Sequence, residues 1–236
     1  MFNEQKKQLE IVSYQDPRVF AQECVELLER HHQASAAHTL RVVEISALAG
    51  LSLGLSKENT DFLIYEASVH DVGKRDVDAR LLSLHNPTPQ QIATIRDGHI
   101  KGTRERLKNS NLEPSLKAVI LEDVMKHHED ILFFGNVKTP YPRNCENVSS
   151  YDGPERRKET SEPSERAKIL FFADKLDRSM SGFNNVDGKE PNLENLGNRV
   201  RKYLGDGAMS AEDEKLLDVC VDACSKLYSN RLLISK

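Results

Sequence analysis

Side chains of the types that bind metal ions interrupt apolar helix faces at several separate places in this chain. His38, His99 and His127 each fall on an apolar stripe at helical spacing. Asp174 falls on a similar stripe beside Leu170 and Phe171. A lone core histidine is usually structural, and a single buried carboxylate is often paired with Arg or Lys. Such positions on four separate helices favour one shared metal site, because imidazole and carboxylate groups are common ligands of transition metals.

The sharpest local motif is the pentapeptide His-Asp-Val-Gly-Lys at 70–74. Adjacent His70 and Asp71 side chains at a helix end can both reach an ion beyond that end, and the two oxygens of Asp71 can bridge two ions. Gly73 is expected to allow a sharp turn of the chain. Lys74 either takes part in the chemistry of this site or is a cation placed at a helix C-terminus for the dipole.

Helical periodicity extends over nearly the whole chain, and no segment shows an alternating strand pattern that competes with it. Signals such as Asp-Pro, Thr-Pro and Glu-Pro open several of the periodic segments. A polar stretch at 135–163 is expected to be a functional or irregular loop. We therefore expect an all-α bundle of about seven to eight helices in a single domain over 1–236. The metal-binding core is expected at about 35–182 and the C-terminal helices at about 190–230. The predicted helices begin near residues 16, 35, 56, 88, 113, 162, 192 and 210.

Composition places the chain among ordinary globular proteins. Its 236 residues are 38% hydrophobic and 30% charged, with a net charge of −4, so the overall charge does not favour a nucleic-acid polymer or an anionic membrane as partner. No apolar run approaches the roughly 20 residues that cross a bilayer. The four cysteines form no CxxC pair, which favours a cytoplasmic protein with reduced thiols. Oligomeric state has no clear marker.

The order of the candidate ligands resembles the HD-domain superfamily of metal-dependent phosphohydrolases. The pattern H…HD…D of that superfamily is met by His38, His70-Asp71 and Asp174. More narrowly, the chain resembles the HD-GYP subfamily of cyclic dinucleotide phosphodiesterases. The features that carry this closer resemblance are HDVGK at 70–74, Gly98-His99 followed by Gly102, the triplet His127-His128-Glu129, and KILFFADKLD at 168–177.

The resemblance implies an HD-type helical bundle with a binuclear metal centre. Two divalent transition-metal ions, Fe or Mn, would activate a water between them for attack on phosphorus. The second ion would share Asp71 and take His99 and either His127 or His128. The first ion would be held by His38, His70, Asp71 and Asp174.

The resemblance also implies roles for other residues and a class of substrate. Asp71 and Lys74 would be catalytic, with Lys74 near the phosphate. Independently of the resemblance, Lys175 and Arg178 follow Asp174 on one helix and are weaker candidates for substrate binding, with solvated surface charge as the more usual role of such residues. The expected substrate is a small phosphorylated molecule, a nucleotide or a cyclic dinucleotide.

Two departures from the subfamily pattern narrow these expectations. The GYP tripeptide is absent after the HHE triplet, and Thr-Pro-Tyr-Pro at 139–142 stands roughly in its place. Ala34 occupies the position at which some members carry a glutamate that supports a third metal. We therefore expect two metals and a substrate other than cyclic di-GMP.

Two other functions fit the same residues. The first is a mixed-valent diiron oxygenase, because such enzymes on the HD scaffold use four histidines and two aspartates in the same order. The HHE triplet and the wide spacing to His99 favour the hydrolase. The second is a non-catalytic module that senses a nucleotide, but retention of the complete ligand set argues against it, since buried polar groups are costly.

Overall fold

The chain folds into helices wherever its structure is described. The computed structural model describes residues 13–127, 163–180, 195–204 and 209–234. Within these ranges there are nine α-helices, one 3₁₀ segment and no strand, which confirms the all-α prediction. In chain order the elements are α1 Pro17–His31, α2 Gln33–Ser52, α3 Lys57–Val69, the 3₁₀ segment Val72–Asp76, α4 Ala79–Leu82, α5 Pro89–Lys108, α6 Pro114–Lys126, α7 Glu165–Met180, α8 Leu196–Leu204 and α9 Ala211–Ile234.

Side-chain caps account for several of the helix starts. The Asp16 carboxylate accepts a hydrogen bond from the backbone of Arg18, with Pro17 in the first turn of α1. Thr88 and Gln91 form a reciprocal capping box at the start of α5. The Glu113 carboxylate caps α6 in the same manner. These starts agree with the sequence signals because capping depends on residues that are neighbours in the chain.

The structure adds detail around the HD pair that the predicted helix starts do not give. Helix α3 ends at Val69, and His70 is its C-cap. The following residues form the 3₁₀ segment, so the HD pair lies at a helix end followed by a tight turn. The short helix α4 was not expected, and the polar stretch at 135–163 lies outside the described residues except for Pro163. That the whole chain forms one domain stays a prediction.

Helix α7 lies at the centre of the core. It packs against α2, α3, α6, α8 and α9, and nine of its 16 residues are buried. Its central position explains why Asp174 is buried. None of the described helices is both long and apolar enough to cross a membrane. The fully buried apolar side chains of α7 are Ala167, Ile169, Leu170, Phe171, Phe172, Ala173 and Leu176.

The 3₁₀ segment and α5 approach each other closely enough to exclude a side chain. A Cβ atom on Gly73 would lie 2.0 Å from the carbonyl oxygen of His99 and 2.2 Å from the backbone nitrogen of Thr103. The Thr103 hydroxyl accepts a hydrogen bond from the Gly73 amide at 2.9 Å and donates one to the carbonyl of His70 at 3.2 Å. Gly73 does not have a positive φ, so the expected freedom to turn is not the reason for glycine at this position. Glycine is required because α5 approaches too closely for a side chain.

Replacement of Gly73 by alanine is expected to lower the free energy of unfolding by at least about 2 kcal/mol, because the overlap is with backbone atoms that cannot move independently. Gly54→Ala is the control, since Gly54 has a φ of 72° and open space around it. The free energy of unfolding of this control is expected to fall by about 1 kcal/mol, from backbone strain alone. Urea denaturation of both variants measures the difference, and a smaller loss for Gly73→Ala than for Gly54→Ala would contradict the packing argument.

Candidate metal centre

Four side chains from three helices and the turn after α3 meet in the interior. One ligand atom from each of His38, His70, Asp71 and Asp174 lies within 4.8 Å of the other three. All four residues are buried, with exposed fractions of 6% or less. They come from α2, from the end of α3 and from α7. Such a group of two imidazoles and two carboxylates can hold one divalent ion.

Three histidines are oriented by the carbonyl groups of their own helices. The Nδ1 atom of His70 donates to the carbonyl of Ala67 at 2.7 Å, and that of His99 donates to the carbonyl of Ile95 at 2.9 Å. His127 is held in the same way by an earlier carbonyl of α6. A proton on Nδ1 leaves the lone pair on Nε2, which is the tautomer that a metal ion requires.

The two oxygens of Asp71 face different histidines. Oδ2 lies 3.3 Å from Nε2 of His70 and 3.4 Å from Nε2 of His38. Oδ1 lies 3.7 Å from Nε2 of His99. The His127 ring is next to that of His70, with 5.2 Å between the ring centroids. Asp71 therefore faces His38 and His70 with one oxygen and His99 with the other.

Sequence reasoning missed the carboxylate that orients His38. The Nδ1 atom of His38 donates to Asp177 at 2.7 Å, and Asp177 is fully buried. Arg41 and the Tyr228 hydroxyl donate to the same carboxylate at 2.7 and 2.8 Å. Asp177 follows Asp174 by three residues, so helical spacing places both on one face of α7. That spacing within the KILFFADKLD motif was the signal available in the sequence.

The histidines of the site differ in their protonation state at neutral pH. Burial disfavours the charged form of His38, but hydrogen bonds to Asp174 and Asp177 outweigh it and raise its pKa to about 9. Burial lowers the pKa of His99 to about 4 and that of His127 well below its usual value. At neutral pH His99 and His127 are therefore neutral, whereas His38 must lose a proton before it can bind an ion.

Two cations balance the charge of the buried carboxylates. Burial opposes ionisation of Asp71, yet Lys74 and His70 hold its pKa well below the usual value. Lys74 makes a short ion pair with Oδ2 of Asp71. The Arg178 guanidinium donates from Nε to Oδ1 of Asp174 at 2.7 Å, and its Nη2 lies 3.9 Å from Oδ1 of Asp71. Lys74 and Arg178 thus contact the carboxylates that the sequence singled out as ligands.

Lys175 contacts an aromatic ring of its own helix. Its ammonium lies 5.1 Å from the centroid of the buried Phe171 ring, in a cation–π arrangement. His128 lies outside the described residues.

The residues present fit a divalent metal ion. Nε2 of His70 and Oδ1 of Asp71 are buried and make no hydrogen bond with any residue that the structure describes. Buried polar atoms are normally satisfied, so atoms of this kind that point into a set of metal-ligand types mark the place of an ion. Nitrogen and carboxylate oxygen ligands together suit Fe, Mn or Zn.

Replacement of Asp177 by asparagine is expected to weaken metal binding about tenfold or more. The amide NH₂ would face Nδ1 of His38, so His38 would turn its proton to Nε2 and lose its ligand lone pair. Asp218→Asn is the control, because Asp218 is an exposed carboxylate on α9. Isothermal titration of the chelated protein with Mn²⁺ measures the effect, and equal affinities for both variants would contradict the role of Asp177.

Comparison with known proteins places the chain by family and fold. The model of the HD domain family matches residues 35–179. A crystal structure of the HD domain of the L. monocytogenes phosphodiesterase PgpH in complex with cyclic-di-AMP superimposes with a TM-score of 0.56. The identity is 15%, and the match covers 87% of this chain and 97% of that chain.

A second structure of the same L. monocytogenes domain gives a TM-score of 0.55 at 12% identity, covering 87% of this chain and 98% of that chain. No curated protein matches the sequence significantly. The family match spans more than half of the sequence and includes His38, the HD pair and Asp174. The chain therefore belongs to the HD domain family.

Proposed function

We propose that this chain is a two-metal phosphohydrolase that cleaves a phosphate ester of a nucleotide or cyclic dinucleotide. The observation that carries the proposal is the convergence of four buried ligand atoms, from His38, His70, Asp71 and Asp174, within 4.8 Å of one another. Burial of such groups is costly, and a bound cation would offset the desolvation of all four together.

The second metal position is proposed on the other side of Asp71. Its Oδ2 would serve the first ion, and its Oδ1, which faces His99, would serve the second together with His99 and His127. Two divalent ions held there would supply Lewis-acid activation of water and neutralise charge on phosphoryl oxygens. His70 and His127, which would help to hold these ions, are the C-caps of α3 and α6, where the helix dipole favours cations.

Lys74 and Arg178 are proposed to bind and orient the phosphate. Each contacts a carboxylate of the centre, and the Arg178 side chain is 28% exposed, so it can reach a substrate from solvent. A guanidinium can hold two phosphoryl oxygens at once. Lys175 remains a weaker candidate, since its ammonium lies over Phe171.

The cyclic-di-AMP bound to the PgpH domain makes cyclic dinucleotides the first substrate class to examine. The protein would be purified without oxygen, analysed for metals, and assayed with bis-p-nitrophenyl phosphate and cyclic-di-AMP in the presence of Mn²⁺ or Fe²⁺. Bound metal with hydrolysis of either compound supports the proposal. Bound metal with oxygen consumption and no hydrolysis would favour the diiron oxygenase.

Replacement of Asp71 by alanine is expected to abolish metal retention and hydrolysis while leaving helical content largely unchanged, because both proposed ions depend on this carboxylate. Metal analysis, activity and circular dichroism measure the three quantities. His85→Ala is the control, since His85 is exposed. Wild-type activity in the Asp71 variant would remove the two-metal proposal.

Replacement of Arg178 by methionine is expected to raise the KM for a phosphodiester about tenfold or more while metal content is retained, because a charge-assisted hydrogen bond to the phosphate is lost. Arg96→Met is the matched control, as Arg96 is exposed and pairs only with its neighbour Asp97 among the contacts described. Steady-state kinetics separate KM from kcat. An unchanged KM would exclude Arg178 from substrate binding.

A further inference from the structure

A second buried polar cluster lies one helical turn away from the metal ligands. It consists of Glu66 on α3, Asp123 on α6 and Arg166 on α7, and we call it the buried ion cluster. Glu66 precedes His70 by four residues, and Asp123 precedes His127 by four. Residues at this spacing lie on the same helix face, so each carboxylate is directly beneath a proposed ligand.

Arg166 joins the three helices by direct contacts. Its Nε donates to Oε1 of Glu66 at 3.1 Å, and its Nη2 donates to Oδ2 of Asp123 at 2.8 Å. The Ser164 hydroxyl donates to the other oxygen of Asp123 at 2.7 Å and accepts from the backbone of Ala167 at 3.0 Å. The start of α7 is therefore tied to α6 and α3 through one guanidinium and one hydroxyl group.

The surroundings of Glu66 determine its protonation state. Burial and the nearby Asp123 carboxylate raise the pKa of Glu66 to about 9. Glu66 is therefore neutral at neutral pH, and Arg166 donates a hydrogen bond to each of the two carboxyl groups.

Stability alone does not explain the cluster. Glu66 is fully buried and Asp123 is 3% exposed, and removing such groups from water costs more than their attraction usually returns. Apolar side chains of similar volume in the same place are often as stabilising or more so. Hydrogen bonds depend on direction and distance, so they break when one helix slides along another. A cluster of hydrogen-bonded groups therefore fixes a single register between helices, which apolar packing does not.

The metal centre depends on that register. His70 and His127 are the C-caps of α3 and α6, one turn beyond the cluster. A slide of one residue along a helix moves a side chain by about 1.5 Å. Metal–ligand distances tolerate only about 0.2 Å. A helix shift that apolar packing would tolerate is therefore large enough to move a metal ligand out of binding distance.

We propose that Glu66, Asp123 and Arg166 are positioning residues that set the register of α3, α6 and α7, and thereby bring the metal ligands on these helices into binding distance. The inference rests on the proposed metal centre but not on any substrate. It predicts that metal affinity and stability respond differently to changes in the cluster.

The test replaces the whole cluster with apolar residues, Glu66→Leu, Asp123→Leu and Arg166→Met together. The expected result is a thermal midpoint of the chelated protein at or above that of the wild type, with Mn²⁺ affinity reduced about tenfold or more, as for other supporting residues of metal sites. A folded variant with wild-type affinity would overturn the proposal.

Single conservative variants test the positioning role even if the triple variant does not fold. Arg166→Lys keeps the charge but cannot hold Glu66 and Asp123 in one plane, so weaker Mn²⁺ binding is expected. Glu66→Gln mimics the neutral carboxyl and is expected to bind Mn²⁺ like the wild type. Arg201→Lys is the matched control, because Arg201 also joins two carboxylates, between α8 and α9.

The outcomes separate this inference from the proposed function. Wild-type affinity in Arg166→Lys, or an equal loss in Arg201→Lys, would overturn the positioning role while leaving the metal centre intact. A wild-type protein that binds no Mn²⁺ or Fe²⁺ would overturn both. Reduced affinity in Arg166→Lys with wild-type affinity in Glu66→Gln and Arg201→Lys supports the positioning role.

Discussion

The burial of negative charge dominates this structure. Asp71, Asp174 and Asp177 lie in the interior with exposed fractions of 2% or less, and an isolated carboxylate in such a place is strongly disfavoured. Each is compensated by a cation, either the protonated His38 or a neighbouring lysine or arginine. A divalent ion would meet the same need more completely, because it pairs with several carboxylates at once.

The candidate ligands are oriented by different groups. His70, His99 and His127 are oriented by carbonyls of their own helices, so the local helix alone gives them the correct tautomer. His38 instead depends on Asp177, which is held from α9 by Tyr228. The C-terminal helix therefore contributes to the geometry of His38, although it carries no ligand among the described residues.

Two close contacts transmit helix positions to the centre. Gly73 packs backbone to backbone against α5, and Thr103 bonds to both sides of the HD pair, so His99 cannot move independently of His70. On the opposite side, Arg166 joins α3, α6 and α7. The centre is thus held by contacts between helices that are distant in the chain, and its geometry is a property of the packed bundle.

The sequence alone was sufficient to predict the all-α class and most helix starts, and to single out His38, the HD pair and Asp174 as candidates. Caps, periodicity and ligand types each depend on a few neighbouring residues. The sequence was not sufficient for Asp177, for the buried ion cluster or for the reason that residue 73 is glycine. Those depend on residues 139, 100 and 30 positions apart in the chain that only packing brings together. Periodicity shows which face of a helix is buried, but only packing decides which residues of other helices meet that face. The cost of burying charge then limits those residues to ones that can pair with it.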